Sequence, residues 1–201
     1  LRADELPGVA QLYARSAATA REVGFDAVEL HGAHGYLLDQ FFWDRTNLRT
    51  DDYGGPLSAR TRFPAEVVAA VRAAVGEDFP IIFRFSQWKG TDYTASVAQD
   101  PAQLQELLAP LVDAGVDVLH PSTRRHYAPA FPDHDSELSL AGWTKKVSGA
   151  PVIAVGSVGL ETQFRSERRG QVISPAPVDR LVEQFDADEF DIVAIGRALL
   201  A

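Results

Sequence analysis

Apolar residues follow two alternating patterns along this chain. Between residues 4 and 23 they stand three or four positions apart, which is the spacing of one face of a helix. The mostly apolar run 25–30 then follows Gly24, as a buried strand follows a helix that ends at glycine. The same order of helix and strand recurs along the rest of the chain, so the pattern predicts repeated α/β units.

The alternation occurs five times. We predict helices over residues 4–23, 58–75, 101–114, 136–147 and 177–187, strands over residues 25–30, 80–85, 116–120, 151–155 and 190–195, and a polar surface loop over residues 162–174. Near-continuous apolar strands indicate a parallel sheet with helices on its faces. Two architectures stay open at this point: an open doubly wound sheet, and part of a (β/α)₈ barrel.

The composition says little about the fold, but it argues against some classes of function. The 201 residues suffice for a single domain, 1–201. The net charge of −9 argues against a nucleic-acid-binding surface, because phosphate binding needs clustered basic residues. No apolar run nears the roughly 18 residues of a membrane span, and the chain has no Cys, so we expect a cytoplasmic protein. The chain begins with Leu1 and not Met, which leaves open that it is a segment of a longer protein.

Two histidines and a tyrosine follow the first predicted strand. His31, His34 and Tyr36 lie within six residues, among glycines that let a ligand approach the backbone. A plainer interpretation is one buried, hydrogen-bonded histidine and one at the surface. Metal binding is a minority interpretation, because no dense set of acidic ligands lies nearby. Since parallel α/β folds place their sites at the carboxyl ends of strands, we favour a ligand site without a metal.

Arg84 lies inside the apolar second strand, between two phenylalanines. A charge in such a strand is unfavourable unless it is paired. A structural salt bridge, with Glu29 as one possible partner, would satisfy it. We favour a functional role, a fixed positive charge that faces an electron-rich ligand, because Arg84 lies within two residues of the predicted end of the strand.

Glycine-containing turns follow the fourth and fifth predicted strands. The first is Gly156-Ser157-Val158-Gly159, and the second is Gly196-Arg197. In a barrel, the loops after the last two strands often hold a phosphate on backbone N–H groups. Ordinary βα turns look the same, so only the occurrence of both turns at consecutive strand ends predicts a phosphate site.

A basic loop, Arg124-Arg125-His126-Tyr127, follows the third predicted strand. It could be a solvated surface loop, or it could gate a substrate pocket. The two interpretations have equal weight from the sequence, and we include Arg125 among the candidate substrate-binding residues.

Together these residues resemble the old yellow enzyme family, the NADH:flavin oxidoreductases or FMN-dependent ene-reductases. The stretch from Gly24 to Phe41 carries the resemblance, with its Glu-Leu-His-Gly-Ala-His-Gly-Tyr core. It continues through residues 45–55 and 60–63, Arg84, the Gly156 turn and Gly196-Arg197, and so covers essentially the whole chain.

The resemblance implies a (β/α)₈ TIM barrel with FMN at its C-terminal mouth, of which this chain holds about five βα units, strands four to eight. It implies that His31 and His34 hold the carbonyl or nitro oxygen of a small electrophilic alkene substrate, and that Tyr36 is the proton donor. It also implies that Arg84 lies near the pyrimidine edge of the flavin. The phosphate turns would be formed by Gly156, Ser157, Val158, Gly196 and Arg197.

The implied chemistry suits these residue types. Hydride added to an activated alkene builds negative charge on the activating oxygen, and two N–H donors stabilise it as an oxyanion hole does. A phenol is protonated near neutral pH and can supply the second hydrogen as a proton. The resemblance implies NADH or NADPH as reductant and leaves a homo-oligomer possible. From the net charge and the apolar runs we expect no nucleic-acid or membrane partner.

Two alternatives remain beside this reading. The first three strands of the family barrel are absent from this sequence, so the chain could be a catalytically incompetent fragment that needs a partner chain. A flavin-free, phosphate-binding barrel enzyme, either a lyase or an isomerase, is the other.

Overall fold

The computed structural model describes residues 1–134, 137–161 and 175–199. The surface loop predicted over 162–174 and the predicted helix start at Ser136 therefore lie outside the described residues. The helices are α1 (Leu6–Glu22), α2 (Asp39–Phe42), α3 (Leu57–Val75), α4 (Pro101–Asp113), α5 (Leu140–Ser148) and α6 (Asp179–Asp186). The strands are β1 (Val28–His34), β2 (Ile81–Lys89), β3 (Val118–Pro121), β4 (Ile153–Ala154) and β5 (Ile192–Val193).

The described strands lie side by side in chain order, and all the pairs are parallel. β2 pairs with β1 and with β3, and β4 pairs with β5. Single parallel bridges, Leu119 to Val152 and Ser122 to Val155, join β3 to the segment around β4. A doubly wound sheet reverses its strand order at the switch point, and the described strands show no reversal. The architecture is therefore α/β with a parallel sheet of the partial-barrel type.

The first strand begins and ends later in the sequence than predicted, and it includes both histidines. We predicted a strand over 25–30 and a loop from His31, whereas β1 runs from Val28 to His34. Gly32 does not end the strand, because it packs against Phe83: a Cβ atom at Gly32 would lie 2.4 Å from Cζ of Phe83. The glycine thus reflects close packing inside the sheet, and the loop begins only after His34.

The second strand is longer than predicted, since β2 continues to Lys89 and not to residue 85. Its pairing with β1 resumes beyond an irregularity, where His34 lies opposite Lys89. Arg84 is therefore in the middle of β2, and the argument that placed it near the strand end was wrong. β4 and β5 are shorter than predicted, with two residues each, and α5 begins at Leu140 behind the N-cap Ser139.

The two faces of the sheet have different characters. On one face, Ile81, Phe83 and Phe85 are buried in a single core with helical residues such as Val67 and Leu108. The helices α1, α3, α4 and α5 pack against one another in that order. Because side chains alternate along a strand, the other face of β2 carries Arg84, which is opposite His31 on β1 and His120 on β3.

Aspartates just before β3 and β5 join the helices α3 and α5 to the sheet. The carboxylate of Asp117 accepts a hydrogen bond from the N–H of Ile81 at 2.7 Å and pairs with Arg72 of α3. Asp191 accepts from the N–H of Val152 at 2.8 Å and pairs with Lys145 of α5 at 3.0 Å. The similar sequences at 115–119 and 189–193 thus perform the same structural task before β3 and before β5.

Apolar side chains are exposed at the β5 end of the sheet. Val182 and Phe185 of α6 and Ile192 of β5 are 51%, 54% and 49% exposed. β1 and β5 each pair with one neighbour only among the described strands. Within the described part of the chain, no helix is long and apolar enough to cross a membrane.

Candidate active site

A cavity of about 470 Å³ opens beside the carboxyl ends of the strands, within the range of about 300–1,000 Å³ that is common for ligand pockets. Three arginines, Arg84, Arg124 and Arg197, line it. No acidic residue is among its described lining residues, although the chain carries a net charge of −9. The cavity is therefore suited to an anionic ligand.

His34 and Tyr36 reach the cavity from the turn that ends β1. His34 has a left-handed backbone conformation, with φ of 64°, which is strained for a residue with a side chain. Its N–H donates to Oγ of Ser86 at 2.9 Å, and its carbonyl accepts from the N–H of Gly90 at 3.1 Å. The turn is thus fixed to β2, and Tyr36 beyond it is 64% exposed.

His31 stands next to these two residues and is not among the described lining of the cavity. Its ring centroid is 5.2 Å from that of His34 and 5.4 Å from that of Tyr36. The structure therefore brings the predicted triad of His31, His34 and Tyr36 into one cluster. Their proposed roles in substrate binding and proton transfer stay predictions.

Ser122, which follows β3, connects three of the cavity residues. Its Oγ lies 2.8 Å from Nε2 of His34 and accepts a hydrogen bond from Nη2 of Arg84 at 3.2 Å. Its carbonyl accepts from the indole N–H of Trp88 at 3.0 Å, and the Trp88 ring stacks on His34 with centroids 4.4 Å apart. These contacts hold the imidazole of His34 in one orientation.

Arg84 lies near an acidic residue and also lines the cavity. Its Nη1 lies 3.8 Å from the carboxylate of Glu29, and its side chain lines the cavity. Glu29 is also 2.5 Å from Nδ1 of His120. The Nε atom of Arg84 is buried and has no hydrogen-bond partner among the described residues, so the guanidinium retains a donor for a ligand.

Burial and the charge of Arg84 favour the neutral forms of His31 and His34. Burial and then the positive charge of Arg84 lower the pKa of His34 to about 4. Partial burial, again followed by Arg84, lowers the pKa of His31. The pKa of Glu29 is also lowered: burial raises it, but the hydrogen bond and charge of His120, with Arg84 and His31, outweigh that effect. At neutral pH the site therefore combines the neutral imidazoles of His31 and His34 with the guanidinium of Arg84.

The turn at Gly156 is packed against the loop after β3. A Cβ atom at Gly156 would lie 2.6 Å from Oγ1 and 2.8 Å from the carbonyl oxygen of Thr123, and φ is 138°. Ser157 follows with a φ of 51°, and its Oγ donates to the carbonyl of Arg124 at 3.0 Å. The glycine is thus required by contact with Thr123, and the turn is held rigidly at the cavity, which Gly156, Ser157 and Val158 line.

Gly196 and Arg197 line the same cavity from the segment after β5. A Cβ atom at Gly196 would meet no atom within 4 Å, so the space beside this residue is open. The structure therefore brings both predicted phosphate turns to one cavity, as the adjacency of β4 and β5 requires.

Arg125 is not brought to the cavity lining that the structure describes. Its guanidinium donates to Oη of Tyr127 at 2.7 Å and to the carbonyl of Glu161 at 3.2 Å. The neighbouring Arg124 lines the cavity, with its guanidinium 4.2 Å from the centroid of the Tyr93 ring. Substrate binding by Arg125 stays a prediction, and the geometry assigns the cavity position to Arg124.

Trp88, Tyr93, Ser122 and Arg124 line the cavity but were not chosen as site residues from the sequence, which named Arg124 only as part of the loop 124–127. Ser122 is directly after β3, at the carboxyl edge of the sheet, and this position was the available signal. Trp88 and Tyr93 come from the extension of β2 and the loop beyond it, which the shorter predicted strand concealed. The register between β1 and β2, which the sequence does not give, brings Trp88 onto the ring of His34 at the end of β1.

The residues of the cavity fit FMN. The phosphate of FMN suits the turns at Gly156 and Gly196 and the charge of Arg197. The electron-rich pyrimidine edge of FMN suits the unpartnered Nε of Arg84. A metal would need a different donor set, and in residues 1–134, 137–161 and 175–199 no group of three or more metal-ligating side chains lies together.

Comparison with known proteins gives consistent matches. The model of the NADH:flavin oxidoreductase / NADH oxidase family matches residues 1–201. The chain is 35% identical over 207 residues to an NADH oxidase of Thermoanaerobacter brockii, covering 100% of this chain and 29% of that protein. It is 30% identical over 203 residues to an NADPH dehydrogenase of Clostridium acetobutylicum, covering 100% of this chain and 53% of that protein.

Solved structures show the same fold. The structure of morphinone reductase in complex with tetrahydroNAD superposes with a TM-score of 0.73 at 27% identity, covering 98% of this chain and 46% of that chain. The old yellow enzyme from Trypanosoma cruzi gives a TM-score of 0.70 at 23% identity, covering 96% and 46%, which supports the fold alone. This chain thus spans about half the length, or less, of these proteins.

The family match along the whole chain, the relatives and the geometry of the cavity agree with the resemblance seen in residues 24–63. The chain belongs to the NADH:flavin oxidoreductase / NADH oxidase family, which includes the old yellow enzymes.

Proposed function

We propose that this chain is the FMN-binding and substrate-binding part of an oxidoreductase that uses NADH or NADPH to reduce the activated C=C bond of enones or similar electrophiles. The observation that carries this proposal is the convergence of His34, Tyr36, Arg84, the Gly156 turn and Arg197 on one cavity. These residues come from β1, β2 and the segments that follow β4 and β5. The names of the relatives, which include NADH oxidase, NADPH dehydrogenase and 12-oxophytodienoate reductases, support it.

The residues divide into a cofactor set and a substrate set. Arg84, Arg197 and the turns at 156–158 and 196 would hold FMN by charge and by backbone contacts. FMN, when bound, supplies hydride-transfer chemistry. Arg84 lies between the two sets, because its guanidinium contacts Ser122 and hence His34.

His31 and His34 would bind the carbonyl or nitro oxygen of the substrate. Both have lowered pKa values, so at neutral pH each is a neutral imidazole. Each can donate a hydrogen bond to the oxygen without protonating it. Donors that are held in place before reaction stabilise developing negative charge without reorganisation. The stacking of Trp88 on His34 and the hydrogen bonds that fix the turn after β1 hold His34 in place in this way.

Tyr36 would donate the proton to the α-carbon. Its phenol stands at the cavity next to His31 and is largely exposed, so a proton can be replaced from solvent after each turnover.

Turnover of a simple enone tests the proposal. Purified chain with added FMN should oxidise NADH or NADPH when cyclohexenone is supplied, and should release cyclohexanone. Tyr36→Phe should lower the rate by about 10²–10⁴-fold, the usual contribution of a general acid, while FMN stays bound. An FMN-loaded wild-type chain that leaves the enone unchanged would contradict the proposal.

One observation favours the alternative of an incompetent fragment. The apolar side chains of α6 and β5 are half exposed, and the outer edges of β1 and β5 have no partner strand among the described residues. Exposed edges and apolar patches favour association with further chain. Light scattering distinguishes the two cases: a monodisperse, FMN-binding monomer contradicts this alternative, and activity that appears only with an added polypeptide supports it.

A further inference from the structure

The hydroxyl of Ser122 is the only group in the described structure that links the side chains of Arg84 and His34 directly. Ser122 lines the cavity, but it is only 3% exposed, so its hydroxyl is satisfied mainly by protein partners. Within the described residues those partners are Nη2 of Arg84 at 3.2 Å and Nε2 of His34 at 2.8 Å.

The chemistry of these partners determines the direction of both bonds. A guanidinium can only donate, so Oγ of Ser122 accepts on the Arg84 side. The hydroxyl proton then has one described acceptor left, the Nε2 atom of His34. If Nε2 carried a proton instead, two N–H groups would face the same oxygen, and the buried hydroxyl proton would have no acceptor, which is unfavourable.

We propose that Ser122 is a positioning residue that donates to Nε2 of His34 and thereby fixes the imidazole in the tautomer protonated at Nδ1. The only N–H donor that the neutral ring retains is then Nδ1–H. The low pKa of His34, which burial and then the charge of Arg84 produce, is consistent with a neutral ring that carries a single N–H.

The orientation of the ring is fixed by a second contact with Ser122. Trp88 stacks on His34 with an interplanar angle of 25°, and its indole N–H donates to the carbonyl of Ser122. Ser122 therefore holds the proton position of the ring with its side chain and the ring plane with its carbonyl. The tautomer stands independently of the proposed function, whereas its use, donation from Nδ1–H to a substrate oxygen, rests on that function.

Nitrogen-15 NMR of the 201-residue chain tests the tautomer directly at pH 7. Long-range ¹H–¹⁵N correlations separate a protonated from an unprotonated ring nitrogen, and His34→Asn identifies the signals by their loss. We expect Nε2 to be unprotonated and Nδ1 to be protonated. In Ser122→Ala the ring should relax toward a mixture of tautomers, and the titration midpoint of His34 should rise, while Ser122→Thr should restore the wild-type pattern.

Two controls separate this role from a general loss of structure. Ser16→Ala removes a hydroxyl that bonds only to the carbonyl of Leu12 on α1, and it should leave the His34 signals unchanged. A wild-type spectrum with Nε2 protonated, or a Ser122→Ala spectrum identical to wild type, would overturn the proposal. If the tautomer is as expected but an FMN-loaded chain leaves cyclohexenone unchanged, the proposed function fails and the positioning role of Ser122 stands.

Discussion

The ammonium of Lys89 and the carboxylate of Asp39 lie 2.6 Å apart, from Nζ to Oδ1, and both side chains are fully buried. The second carboxylate oxygen accepts a hydrogen bond from the N–H of Gly35 at 2.6 Å. Lys89 also donates to the carbonyl of Ser86 at 3.2 Å, and Ser86 in turn binds the N–H of His34. The ion pair therefore joins the end of β2 to the turn that presents His34 and Tyr36.

Removing one member of this pair should destabilise the protein strongly. Lys89→Met leaves the carboxylate of Asp39 buried without its counter-charge, and breaking a buried pair in this way costs about 3–5 kcal/mol. Burial already raises the pKa of Asp39 against the opposing effect of Lys89, so Asp39 should take up a proton in the variant. Urea unfolding at pH 7 measures the loss of free energy.

A double variant is the matched control for the ion pair. Lys89→Met with Asp39→Asn removes both charges and keeps an oxygen that can accept from Gly35. It should recover a large part of the stability lost in Lys89→Met, because no isolated charge remains buried. Equal free energies of unfolding for Lys89→Met and wild type, or a further loss in the double variant, would contradict this account of the pair.

The pH dependence of stability should contain a contribution from His34. Its pKa is about 4 in the folded chain, against an ordinary value of about 6.5. Between these values the unfolded chain binds a proton that the folded chain does not, so the free energy of unfolding falls as the pH drops from about 6.5 to about 4. The contribution is at most about 3 kcal/mol, is fully present above pH 6.5, and changes no further below pH 4.

Urea unfolding at several pH values, on wild type and on two variants, measures this contribution. His34→Asn should flatten the fall in stability between pH 6.5 and pH 4, whereas His134→Asn, at an exposed histidine, should retain it. Carboxylates also titrate in this range. The contribution of His34 is therefore the difference between the stability-against-pH curves of wild type and His34→Asn. Parallel curves for wild type and His34→Asn would show that His34 is not held neutral by the fold.

The two glycines of the cavity turns should respond differently to alanine. At Gly156 a methyl group would contact Thr123 at 2.6 Å and 2.8 Å with φ of 138°, so Gly156→Ala should cost about 1–3 kcal/mol through backbone strain and steric overlap. At Gly196 a methyl group meets nothing within 4 Å, so Gly196→Ala should be nearly neutral. Thermal unfolding of both variants compares them, and equal losses would contradict the packing at Gly156.

The order of elements was accessible from the sequence because each unit repeats one local pattern. Apolar runs after Gly24, Gly115 and Gly149 mark the strands, and Asp100 marks a helix start, where its carboxylate indeed accepts from the N–H of Gln103 at 2.8 Å. The end of β1 was missed because glycine normally signals a turn. Contact with Phe83, a long-range feature, keeps Gly32 in the strand.

The site was accessible in part for the same reason. His34, Tyr36, Arg84 and the two glycine turns stand where chemistry is expected in a parallel α/β fold, and a long motif supports them. Ser122 and Trp88 meet His34 through tertiary contacts, and no local pattern encodes such contacts. The choice between Arg124 and Arg125 depends on side-chain direction within one loop, which the sequence leaves undetermined.

Binding of FMN to the purified chain is the most direct test of the central claim. The quenching of FMN fluorescence, titrated against the folded chain, should saturate at one FMN per chain. Arg84→Met should weaken the affinity by about tenfold or more, as expected for the loss of a charge-assisted hydrogen bond, and Arg15→Met, at an exposed position on α1, should leave it unchanged. A folded chain that binds no FMN, or that binds it equally well without Arg84, would contradict the account.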